Sequence, residues 1–123
     1  MLDRLRAVPL FASVDVDKLD RLARGTTELE VPAGQTLIEK GAPGSGIFIL
    51  EEGQAWVDAP EGGRQLMPGE VFGQRSLFGD DPQRTARVRA QTSVRCLAIP
   101  RVEIEQLLAD DPQFAAELRK LSD

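Results

Sequence analysis

Residues 26–99 are cut into short runs of strand-forming residues by turn signals that recur about every eight to twelve positions. The separators are Pro32-Ala33-Gly34, Gly41-Ala42-Pro43-Gly44-Ser45, Glu52-Gly53, Pro60-Glu61-Gly62-Gly63, Met67-Pro68-Gly69 and Thr92-Ser93. A chain punctuated this way folds into hairpins, since glycine and proline supply turn geometry and neither supports a helix interior. Strands are predicted at 27–31, 36–39, 46–51, 55–58, 64–66, 70–72, 86–91 and 94–99. The pattern is that of an antiparallel sandwich or jelly roll, and the expected fold class is mainly β: an antiparallel β-roll or double-stranded β-helix (jelly roll) with flanking N- and C-terminal helices.

The flanks read differently. Leu2 and Leu5 precede a break at Val8-Pro9-Leu10-Phe11, after which Ser13 or Asp15 can cap a helix carrying Val16, Leu19, Leu22 and Ala23 on one face, with Gly25 placed to end it. After Pro100, residues 101–109 form a helix with Ile104, Leu107 and Leu108 on one side. Asp111 then caps a last helix with Pro112 in its first turn and an apolar stripe of Phe114, Ala115, Leu118 and Leu121. The stripe is a candidate homodimer surface. At 123 residues the chain is expected to be one domain, helical over 1–25, β over 26–99 and helical again over 101–123.

Residues 69–88 concentrate the chemistry. A strand ending at Val71-Phe72 meets Gly73, and a turn of helix opens at Gln74, so unpaired backbone N–H groups converge on one spot that favours an anion. Arg84 returns after the loop Gly79-Asp80-Asp81-Pro82 and brings a planar fork of donors suited to phosphate oxygens. On spacing alone, a hairpin corner with a solvated arginine is an equal reading.

The motif Phe72-Gly73-Gln74-Arg75-Ser76-Leu77-Phe78, followed by Arg84-Thr85-Ala86 and Val88, resembles the phosphate-binding cassette of cyclic-nucleotide-binding domains. The resemblance extends to the turn Val31-Pro32-Ala33-Gly34-Gln35, to the run from Ile47 to Gly53 and to the helix after Pro100. It implies that the cassette, 69–88, is the ligand-binding element. The backbone from Gly73 through Arg75 to Ser76 would hold the cyclic phosphate, and Arg84 would pair with its exocyclic oxygens. Thr85 and the adjoining Ala86 would lie beside phosphate and purine, and Val57 would form part of the pocket wall.

Gln74 departs from the glutamate usual in that family, which accepts the ribose 2'-hydroxyl. A glutamine carbonyl accepts the same bond without charge assistance, a difference of about 1 kcal/mol, or somewhat under tenfold in affinity. Ser76 stands where a small alanine or glycine is usual. Thr85 is compatible with cyclic AMP and with cyclic GMP. The last helix, which in the family moves as a lid, is short.

Composition narrows the function classes. The chain has no histidine, which removes Ser-His-Asp and Cys-His nucleophile systems and His-ligated metal sites. One cysteine rules out an internal disulfide and thiolate metal centres, and suits a reducing, cytoplasmic setting. Cys96 itself, in the apolar run 94–99, is expected to pack as a small hydrophobe. A net charge of −5, from 15 basic and 20 acidic residues, opposes direct nucleic-acid contact. The Arg87/Arg89 face therefore reads as solvated. No membrane-spanning segment or signal peptide is expected.

The function implied is a regulatory, non-enzymatic sensor that binds cyclic AMP or cyclic GMP as ligand, needs no cofactor or metal, and signals to an effector domain or partner. The alternative is a degenerate relative that kept the fold, lost the nucleotide and serves protein interaction.

Overall fold

The computed structural model describes residues 1–38, 46–60, 62–77 and 87–121, with the side chains of Arg75 and Ser76 not described. Its order is α1 (Leu2–Arg6), a 3-10 turn (Pro9–Phe11), α2 (Val16–Arg24), then strands β1 (Thr27–Val31), β2 (Thr36–Ile38), β3 (Gly46–Glu52), β4 (Ala55–Ala59), β5 (Gly62–Leu66) and β6 (Val71–Phe72). A second 3-10 turn (Gln74–Leu77) follows, then β7 (Arg87–Ala90), β8 (Val94–Pro100), α3 (Arg101–Asp110) and α4 (Pro112–Lys120). The strands form two antiparallel four-stranded sheets, ordered β1-β8-β3-β6 and β2-β7-β4-β5. This is the mainly antiparallel β architecture with flanking helices that the turn spacing implies.

Strands β3 and β8 are covered on both faces, and the period of two explains how. Leu50, Val94 and Cys96 point between the sheets and pack with Ile38, Ala55, Leu66, Phe72, Val88 and Ala90. Ile47, Ile49, Leu97 and Ile99 point the other way, into a cluster with Leu5, Phe11, Leu19, Leu22, Ile104, Phe114 and Leu118 from the helices. One sheet is thus the partition between two apolar cores.

Polar groups on the helix side are tied down. Arg4 of α1 donates to both oxygens of Glu51, Nε–H at 3.0 Å to Oε2, and also donates to Glu28 at 2.6 Å. Arg95 reaches Glu51 at 3.2 Å and Glu52 at 3.0 Å. Strict alternation would send neighbouring glutamates to opposite faces and leave both to water. The register shift between Leu50 and Glu52 brings both to Arg95 instead.

Local signals account for the helix ends. Asp15, not Ser13, caps α2 by accepting from the Asp17 N–H at 3.1 Å, and Asp111 caps α4 by accepting from Phe114 N–H at 3.0 Å. The expected dimer stripe is largely used within the chain. Phe114 and Leu118 are buried, Phe114 stacks on Phe11 with centroids 5.5 Å apart, and Leu121 is the member left exposed.

Candidate functional site

The cassette begins as its sequence dictates. Val71 and Phe72 of β6 split between the cores, Val71 toward the helices and Phe72 between the sheets, where its ring stacks on Phe48 at 5.3 Å. Gly73 then takes φ 90°, a left-handed turn that favours glycine, and the chain enters the 3-10 turn Gln74–Leu77. Leu77 packs against the helix-side core. Both ends of the turn are thereby anchored, and Gln74 is held at the junction between sheet and helices.

Gln74 is 3% exposed. Its Nε2 donates to the main-chain carbonyl of Leu121 at the end of α4, while its Oε1 is buried and meets no donor among the described residues. A buried acceptor without a partner costs about 1–3 kcal/mol, so this oxygen is an energetic reason for the site to take up a donor.

Beside Gln74 lies a cleft of about 660 Å³ between the sheet edge, the first 3-10 turn and α4. Its walls include Leu10, Arg64, Glu70, Gln74, Lys120 and Leu121. The Arg64 guanidinium pairs with Glu70 at 2.9 Å, and the second oxygen of Glu70 accepts from the Met67 N–H at 2.7 Å, so the turn before the cassette fixes the carboxylate that holds the arginine. Sequence reasoning gave Arg64 no role. The signal was available, because Arg64 lies two residues before buried Leu66 on β5 and so shares its face.

Val57 of β4 is half-buried, packs against the inter-sheet core and sits in register with Arg64. Gly73, Gln74, Arg75 and Ser76 are contiguous in the cassette turn. Arg84, Thr85 and Ala86, expected to meet phosphate and purine, lie outside the described residues. Among the described residues no group of three metal-ligating side chains occurs, and no helix is long and apolar enough to cross a membrane.

The family model for the cyclic nucleotide-binding domain matches residues 28–111. The chain belongs to that family. It is 34% identical over 114 residues to a cyclic nucleotide-gated potassium channel from Rhizobium etli, covering 93% of this chain and 32% of the channel. It is also 34% identical over 109 residues to a cAMP-dependent protein kinase regulatory subunit from Aspergillus fumigatus, covering 85% of this chain and 26% of that subunit. The chain thus spans about a third or less of the length of these two relatives. The sensor domain of the transcriptional regulator DNR from Pseudomonas aeruginosa shares its fold, with a TM-score of 0.82, 22% identity, and coverage of 98% of this chain and 85% of that one.

Proposed function

We propose that this domain is a regulatory sensor that captures a cyclic nucleotide, cyclic AMP or cyclic GMP, in its phosphate-binding cassette and passes the change to its helices without transforming the ligand. The observation that carries the reading is Gln74: the cassette residue expected to meet the ribose is buried, keeps an oxygen that meets no donor among the described residues, and is bonded to the last helix.

Gly73 to Ser76 and Arg84 would hold the cyclic phosphate, with Thr85 and Ala86 beside the purine and Val57 on the wall. Arg64, held by Glu70, places a guanidinium on the cleft wall as a further hydrogen-bond donor. Capture shifts the conformational equilibrium only to the extent that the ligand prefers one arrangement of cassette and helices. The output then goes to an effector in a longer chain or in a partner protein, as the channel and kinase-subunit relatives suggest. The free, buried Cys96 suits a reducing compartment such as the cytoplasm.

Thermal unfolding with each cyclic nucleotide and its linear monophosphate tests the reading. Ligand at about 100 times its dissociation constant stabilises by about 2.7 kcal/mol, a rise of several degrees for a domain of this size. The expected result is a rise with at least one cyclic nucleotide that disappears in Arg84→Ala. An identical rise in Arg84→Ala would remove the cassette from the account.

A further inference from the structure

Gln74 joins two parts of the fold that are 47 positions apart in the chain, the cassette turn and the end of α4. The Leu121 carbonyl can only accept, which fixes the amide: its nitrogen faces the helix and its oxygen faces away. With 3% of the residue exposed, bulk water satisfies neither end. Glutamate offers two acceptors and no donor, so at this position it would set a carboxylate against a carbonyl. Among side chains of this length, glutamine alone accepts at one end and donates at the other.

We infer that Gln74 is a relay: its Oε1 accepts a hydroxyl of the bound ligand while its Nε2 keeps hold of the Leu121 carbonyl, so that ligand, cassette and α4 are hydrogen-bonded in series. The inference rests on the cyclic-nucleotide reading for the identity of the hydroxyl, the ribose 2'-OH, and on the structure for the tether itself. An amide whose oxygen accepts a bond becomes a better donor through its nitrogen, so occupancy tightens the hold on α4. The coupling is reciprocal, and docking of α4 raises affinity for the ligand by the same factor. The glutamine is then a gain of coupling and not a weakened glutamate.

Hydrogen exchange of the α4 amides tests this in the wild-type chain, Gln74→Glu and Gln74→Met. Without ligand, both variants are expected to exchange α4 at least threefold faster than wild type, since each has lost the donor. With saturating cyclic AMP or cyclic GMP, α4 in the wild type slows further, the 2'-deoxy analogue slows it less, and Gln74→Glu binds the ribonucleotide without slowing α4. Gln74→Met, close in size and unable to accept or donate, guards against an effect of buried charge alone.

Wild-type exchange rates in both unligated variants would overturn the tether whatever the ligand. Equal slowing by the 2'-deoxy analogue would overturn the role of Oε1. If neither cyclic nucleotide binds the wild type, the ligand half falls together with the proposed function, and the unligated comparison still decides the tether.

Discussion

Cys96 lies fully enclosed between the sheets, and burial, aided by the charge of Glu51, pushes its thiol up to about 11. An acid held protonated in the folded state binds more protons there than in the unfolded chain, so stability falls as pH rises from the ordinary thiol value toward 11. The loss amounts to about 2–3 kcal/mol across that window. Urea midpoints measured at pH 8 and pH 10.5 should show the fall in the wild type and a smaller one in Cys96→Ala. Equal falls would mean that other groups carry the dependence.

Glu51 works on the acid side. The Arg4 guanidinium, with Arg95, holds its carboxyl below the usual range, so its stabilisation is present above the ordinary carboxylate value and is lost as pH falls through the lowered one. Glu51→Gln is expected to destabilise by about 1 kcal/mol at neutral pH and to flatten the profile below pH 5. No change in either would reduce the cluster to solvated charge.

The sequence reading caught Cys96, since an apolar run around a lone cysteine is a burial signal. It missed Arg4–Glu51, because a pair 47 positions apart with a bulge beneath it leaves no local trace. Arg64 was missed for a different reason: it opens a predicted strand of only three residues, too short for its shared face with Leu66 to stand out as a pattern.

Turn chemistry made the strands legible to within a residue or two, and the places where it failed have visible causes. Gly62 and Gly63 read as a turn, yet both pair in β5. A Cβ on Gly63 would come within 2.3 Å of the Trp56 ring, so the glycine is there to accept a cross-strand indole and not to bend the chain. Trp56 accordingly packs over its own sheet.

Gly53 is a true turn glycine. At φ +89° a Cβ would lie 2.2 Å from the Ser93 carbonyl oxygen, and Gly53→Ala should cost at least about 1 kcal/mol in chemical denaturation. The α4 cap is a gentler case. Asp111→Ala removes the acceptor for Phe114 N–H and should cost about 0.5–2 kcal/mol. Because α4 also carries the Gln74 tether, loss of the cap should weaken nucleotide binding even though Asp111 is not among the cleft walls. Unchanged affinity in a destabilised Asp111→Ala would separate the helix from the ligand.

At the scale of the whole molecule, one sheet divides two cores, and the cassette turn spans the boundary: Phe72 belongs to one core, Val71 and Leu77 to the other. A shift of the turn is therefore felt by the helices through packing as well as through Gln74. The motif, its order and its fit across the chain could be read from sequence; the burial of Gln74 and its bond to α4 could not, since they depend on how α4 returns over the sheet.

Calorimetric titration of this chain with cyclic AMP and cyclic GMP, with the linear monophosphates as controls, decides whether the cassette captures a cyclic nucleotide. A saturable isotherm at one site per chain is expected for at least one cyclic nucleotide, with the linear monophosphates binding at least tenfold more weakly. The absence of saturable binding by either cyclic nucleotide at millimolar concentration would contradict it.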